Sequence, residues 1–166
     1  ADLSGRGVDH ADELVFPVAE AGVTDQLDGV SLTDDPRAAD VLLAAIDRGF
    51  TYDALADALR ALRDPETAFV GTDPDRTIPG GDGEVYPGSG AIIGAIAATT
   101  EREPDAVPGK PSEQMMRSAL RRLDVAPEAC LVIGDRLDTD VAMGAAAGAT
   151  TALALTGTHD AAAIEA

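Results

Sequence analysis

Of 166 residues, 45% are hydrophobic and only 3% aromatic, so the chain is long enough to bury a core, and that core has to be built from alanine, valine and leucine. A formal net charge of −18 excludes nucleic acid as a partner, because a phosphate backbone demands a basic surface. No apolar run reaches the roughly 18 residues that span a bilayer, no basic-then-apolar leader opens the sequence, and a single cysteine builds no disulfide framework, which together predict a cytoplasmic protein with no membrane partner.

Residues 1–13 are polar, hold two glycines and show no period, as expected of a frayed helix end and a loop. Residues 14–18 predict a short strand, which Pro17, lacking an N–H, confines to an edge or a bulge. A short helix and turn are expected over 19–30, then an extended piece over 30–32. Residues 41–46 predict a buried strand stopped by Asp47-Arg48-Gly49. The spacing over 52–63 predicts a helix with Leu55, Leu59 and Leu62 on its apolar face, and 67–71 the next strand. Residues 19 to about 72 thus read as an α/β unit. The glycine- and proline-rich stretch 72–90 is expected as linker and loop, 89–100 as a helix, and 105–107 as a short extended piece. A helix from Ser112 is expected to bury Met115, Met116, Ala119, Leu120 and Leu123. Residues 130–133, a helix to Ala147 stopped by Gly148, and 151–155 complete a predicted right-handed βαβ crossover. Cys130 reads as a small core residue, and His10 and His159 as surface residues.

Chemistry concentrates after the strand at 130–133. The turn Gly134-Asp135-Arg136-Leu137-Asp138-Thr139-Asp140 leaves the carboxyl end of a parallel strand, where open α/β sheets place their sites, and it carries three carboxylates within six residues. Unit charges about 4 Å apart repel by about 4 kcal/mol at an effective dielectric near 20, so such crowding needs solvent or a cation to screen it. Oxygen ligands favour a hard cation such as Mg2+; a helix cap with solvated acids is the simpler alternative. A second feature points the same way. Of the 12 basic residues eleven are arginine, and the one lysine, Lys110, sits in the turn Pro108-Gly109-Lys110-Pro111, where the backbone is fixed and a side chain can be aimed. Its compact ammonium suits a phosphoryl group beside a carboxylate. The acidity, spread along the chain with arginine in place of lysine, further predicts a halophilic source, where salt shortens the reach of self-repulsion.

Gly109-Lys110-Pro111 followed by Gly134-Asp135-Arg136-Leu137-Asp138-Thr139-Asp140 resembles the third and fourth motifs of the haloacid-dehalogenase (HAD) superfamily of phosphatases. More narrowly it resembles the capped subclass IIA branch with the nitrophenyl-phosphatase, phosphoglycolate-phosphatase and N-acetylglucosamine-linked phosphatase homologues. Thr72-Asp73-Pro74-Asp75 with Pro79, and Tyr86-Pro87-Gly88-Ser89-Gly90, resemble that branch's Thr-Asn-Pro-Asp and Pro-x-x-Gly block. Ala39-Asp40-Val41 through Asp47-Arg48, with Thr51-Tyr52 and Leu55, resembles its cap. The resemblance implies an α/β fold: a partial Rossmann-like core, a parallel sheet with flanking helices, plus an α/β cap. Residues 1–13 would be a remnant of a core helix and loop, 14–80 the cap, and 81–166 the C-terminal half of the core.

The same resemblance implies Mg2+-dependent hydrolysis of a small phosphorylated metabolite through an aspartyl-phosphate. Lys110 would be the catalytic lysine and Asp135 a metal ligand; Asp140 would be a second metal ligand or the anchor of Lys110. Asp47, Arg48, Thr72, Asp73 and Arg136 are the substrate and cap candidates, and pairing of two copies through the cap is plausible for the family. The nucleophile motif Asp-x-Asp-Gly-Thr has no match; Asp2-Leu3-Ser4-Gly5 lacks the second acid and a preceding strand. The isolated chain is therefore expected to be inactive, with open sheet edges and exposed apolar faces. The alternative is a non-enzymatic interaction module that docks through an exposed sheet edge. A dinucleotide reading of Gly88-x-Gly90-x-x-x-Gly94 rests on a lone glycine pattern, better explained by turns and close packing.

Overall fold

Three apolar runs alternate the faces of their side chains with a period of two, and they form three of the strands of a four-stranded parallel sheet. In the computed structural model, which describes residues 13–81, 83–160 and 164, strands β1 (Leu14–Val18), β2 (Ser31–Leu32), β3 (Val41–Ala44) and β4 (Ala68–Gly71) lie in the order β2-β1-β3-β4. β3 lies between β1 and β4, with Val15 opposite Val41 and Val41 opposite Ala68. On one face Phe16, Val18, Leu42, Ala44 and Phe69 join Ile92, Ile93 and Ile96 in the main core; on the other, Val15, Val41 and Val70 form a smaller cluster. Pro17 lies in an inner strand, yet β2 pairs only with Leu14 and Val15, so beside Pro17 there is no ladder that needs its missing N–H.

Helices α2 (Tyr52–Ala61) and α3 (Ser89–Thr100) cover the main core. Thr51 caps α2 by accepting the N–H of Ala54 at 3.1 Å. The apolar face of α2 is rotated from the expected leucine stripe. Ala58, Ala61 and Leu62 are buried and Leu55 packs beside them, whereas Leu59 is exposed. Two alanines on the buried face let the helix approach closely, which suits a chain almost without aromatics. α1 (Ala21–Thr24) is the short helix expected after β1.

The stretch expected as plain loop contains an antiparallel hairpin, β5 (Thr77–Pro79) with β6 (Val85–Pro87). Its base closes on α3, where the N–H of Gly90 donates to Asp75 O at 2.8 Å. A Cβ at Gly90 would collide with the Pro74 carbonyl, so this glycine permits a close backbone approach. The glycines thus follow an antiparallel hairpin rather than the parallel strand a dinucleotide fingerprint requires. Residues 105–107 extend beside β4, with a single bridge between Val70 and Ala106.

The chain divides into two units, 1–107 and 108–166. The division falls after Val107 rather than at the expected 80/81, because α3 buries Ile92, Ile93 and Ile96 in the core of the first unit. In the second unit β7 (Leu131–Gly134) and β8 (Thr150–Leu153) pair in parallel, joined by a π-helical turn (Leu137–Val141) and α5 (Ala142–Ala146). Gly148, at φ +79°, follows the helix as its stop.

α4 (Glu113–Leu123) precedes this βαβ unit and is capped by Ser112, whose Oγ accepts the Gln114 N–H. Its expected buried face is mostly open. Met116 is buried and Leu120 half-buried, but Met115, Ala119 and Leu123 are exposed. On β7, Leu131 is 55% and Ile133 66% exposed, and Cys130 is half-buried. Asp2 and His10 lie outside the described residues. Among the described residues no helix is long and apolar enough to cross a membrane.

Candidate active site

The second unit places a lysine, an acid loop and a C-terminal turn together. Lys110 projects from the turn before α4, closed by the Ser112 N–H donating to Gly109 O at 2.9 Å. Lys110 Nζ donates to Asp140 Oδ1 at 2.9 Å. The Asp140 side chain is 10% exposed and that of Lys110 45%, so the acid is held within the fold while the lysine side chain stays partly open to solvent.

The loop after β7 is shaped to present Asp140. The π-helical turn, in which the Val141 N–H donates to Arg136 O at 3.1 Å, makes room for the carboxylate to fold back. Asp140 Oδ2 accepts the Arg136 N–H at 3.3 Å. A Cβ at Gly134 would collide with the Asp140 carboxylate, which gives the glycine ending β7 a steric purpose. Next to it Thr139 is buried, and its Oγ1 has no hydrogen-bond partner.

The other two acids are held differently. Arg136 grips Asp138 with a fork, Nε to Oδ1 at 3.0 Å and NH2 to Oδ2 at 2.7 Å, and this bond holds the Asp138 carboxyl below the usual aspartate range. Asp135 Oδ2 accepts the Thr158 N–H at 2.8 Å. That backbone bond is the main reason the Asp135 carboxyl also sits below its ordinary value; the Thr158 side chain adds to it, burial opposes it, and the charge of Lys110 contributes least. With Asp140 facing Lys110 and Asp138 facing Arg136, Asp135 is left, among the described residues, as an ionised carboxylate without an ion pair of its own. Among the described residues no three metal-ligating side chains cluster. A cation at Asp135 would therefore draw most of its ligands from water and a bound anion, the habit of Mg2+ with one or two protein carboxylates.

Three partners of this loop were not anticipated from the sequence: Gly157, Thr158 and His159. The His159 N–H donates to Asp135 O at 3.0 Å, and His159 Nδ1 accepts the Leu137 N–H at 2.9 Å. His159 is half-buried rather than a plain surface residue. The available signal was positional, because Thr156-Gly157-Thr158 leaves the carboxyl end of β8 as Gly134-Asp135 leaves β7.

The remaining candidates, Asp47, Arg48, Thr72 and Asp73, belong to the first unit, and each is engaged locally. Asp47 Oδ1 accepts the Gly49 N–H at 2.8 Å, and Arg48 NH1 pairs with Glu20 at 2.9 Å. Thr72 Oγ1 donates to Asp73 Oδ2 at 3.2 Å, while Asp73 Oδ1 accepts the Asp75 N–H at 3.1 Å. Asp47 and Arg48 stand beside a cavity of about 490 Å³ whose other walls include Phe50, Tyr86, Ala91 and Ile92.

Residues 107–166 match the HAD-hydrolase-like family model. The chain is 35% identical over 160 residues to chronophin of Homo sapiens, covering 91% of this chain and 54% of that protein. It is 40% identical over 117 residues to a glycerol-3-phosphate phosphatase of Gallus gallus, covering 70% of this chain and 37% of the relative. Among solved structures it superposes on a p-nitrophenyl phosphatase from Archaeoglobus fulgidus with a TM-score of 0.84 and 37% identity, over 98% of this chain and 61% of that one. The family match over the lysine and acid-loop segment, together with these relatives and structures, puts the chain in the HAD superfamily, in the capped subclass IIA phosphatase branch. The chain spans roughly half the length of the curated relatives it matches, or less.

Proposed function

We propose that this chain carries the lysine and metal-ligand half of a phosphatase site acting on a small phosphorylated metabolite. The observation that carries the reading is the 2.9 Å Lys110–Asp140 pair in one unit with an ionised Asp135. Lys110, whose side chain is partly open to solvent, neutralises phosphoryl oxygens with its ammonium. Asp140, both of whose oxygens accept hydrogen bonds, acts as the anchor of Lys110 rather than as a metal ligand. Asp135 is the ligand for Mg2+, which when bound polarises the phosphoryl group and orients it. Arg136 keeps Asp138 away from that position. Residues 14–107 form the cap, and its cavity beside Asp47 and Arg48 selects the substrate. Pairing of two copies through the cap belongs to the same reading.

The family chemistry runs through an aspartyl-phosphate, and the 166 residues contain no Asp-x-Asp-Gly-Thr. The isolated chain is therefore expected to leave nitrophenyl phosphate intact with Mg2+ in high salt, while still binding Mg2+ and inorganic phosphate weakly. Calorimetric titration tests this: Lys110→Met should lose phosphate binding and Asp135→Asn should lose Mg2+. Unchanged phosphate affinity in Lys110→Met overturns the proposal, and turnover by the wild-type chain overturns the expectation of inactivity. We place the protein in a salt-rich cytoplasm on its charge and composition.

The exposed Leu131, Ile133 and Leu123 favour one further reading, an interaction module that docks through the sheet edge of the second unit. Sedimentation distinguishes it: concentration-dependent association abolished by Ile133→Lys supports docking there, and a monomer at all concentrations opposes it.

A further inference from the structure

The segment after β8 binds the acid loop through backbone and side chain, beside Asp135 and at Leu137, and none of its side chains has a part in the phosphate chemistry above. Thr158 N–H donates to Asp135 Oδ2 at 2.8 Å, His159 N–H to Asp135 O at 3.0 Å, and Leu137 N–H to His159 Nδ1 at 2.9 Å. Gly157 makes the approach possible, because a Cβ there would strike the Asp135 carboxylate. The backbone bonds alone would hold Asp135 from one side. The imidazole fixes the other side, since it ties the residue two positions further along and so sets the path of the chain through Asp135. Accepting an N–H at Nδ1 requires the neutral ring with its proton on Nε2. His159 is thus bonded in one defined tautomer.

We propose that His159 is a positioning residue for Asp135: by accepting the Leu137 N–H it holds the acid loop in the path that aims the Asp135 carboxylate at a divalent cation. This rests on the reading of Asp135 as a Mg2+ ligand. Partners that orient a metal ligand from behind are commonly worth a 10–100-fold change in metal affinity, about tenfold being expected for one hydrogen bond to the backbone.

The test uses the full 166-residue chain and Mg2+ alone as probe. Imidazole 15N shifts at pH about 8, above the ordinary histidine range, are expected to report the Nε2–H tautomer; the Nδ1–H tautomer overturns the inference without any variant. In Mg2+ titrations followed by amide shifts, His159→Leu and His159→Ala should each weaken binding about tenfold and lose hydrogen-exchange protection at Leu137. His159→Asn, whose Oδ1 can replace Nδ1 as acceptor, should restore affinity to within about twofold of wild type. Wild-type Mg2+ affinity in His159→Leu, together with loss of binding in Asp135→Asn, overturns the role of His159 and leaves the metal reading standing. Equal behaviour of Asp135→Asn and wild type overturns the metal reading itself.

Discussion

Replacing Asp140 by asparagine probes the centre of the acid loop. The amide keeps the size and an acceptor for the Arg136 N–H, and removes only the charge that faces Lys110 at 2.9 Å. Unit charges at that separation attract by about 1.4 kcal/mol in a water-like medium and by about 6 kcal/mol at an effective dielectric near 20. The Lys110 side chain is 45% exposed, so solvent screening draws the net value toward the lower figure, to about 1 kcal/mol. A double-mutant cycle with Lys110→Met isolates the pair. Urea unfolding of the second unit, read from the amides of β7, should give a double mutant less destabilised than the sum of the singles by about 1 kcal/mol. A coupling within about 0.3 kcal/mol of zero would refute the claim that Asp140 holds the lysine by charge, and would return Asp140 to the pool of metal ligands.

Ile96→Ala should cost about 2–5 kcal/mol, because Ile96 is fully buried in the first unit's core, and calorimetry should find that unit melting at least about 8 °C lower; a loss below about 1 kcal/mol would mean that the core collapses into the space. Acid should loosen the loop after β7. The folded carboxyls of Asp135 and Asp138 lie below the ordinary 3.8, so their stabilisation is present above that value and is lost as pH falls through it toward the folded values. The melting temperature measured from pH 6 down to pH 2 should accordingly drop below about pH 4, and Asp138→Asn should flatten part of the drop. With a net charge of −18, the wild-type chain should melt higher in molar salt than in dilute buffer; a salt-independent melting temperature would count against a halophilic origin.

Much of the fold was legible because its strands are apolar runs closed by abrupt stops: Asp47-Arg48-Gly49 follows β3, and Gly71 and Gly134 end β4 and β7. α3 was legible to the residue, since an alanine-rich apolar run of 12 residues is longer than an ordinary strand. The hairpin of β5 and β6 escaped because three-residue strands among glycines and prolines carry no period, and their pairing is set by contact with the Pro74–Asp75 backbone. The face of α2 was misjudged at Leu59 because pattern reading ranks leucine above alanine, whereas close helix–sheet packing rewards Ala58 and Ala61. At the site, Lys110 and the three acids stood out by residue type and spacing. The division of labour among the acids did not, because it depends on which N–H or cation each carboxylate meets in the folded loop. His159 was invisible for a related reason: its function lies in one ring nitrogen accepting a backbone N–H 22 residues away.

The anchoring of Lys110 has an entropic consequence. A free lysine side chain gives up about 1.5–2 kcal/mol of rotamer freedom when it is immobilised. Here Asp140, itself fixed by the Arg136 N–H and the turn around it, restrains the ammonium during folding. An anion arriving at Lys110 therefore meets a side chain that has already lost much of that freedom, and more of the attraction between them appears as affinity.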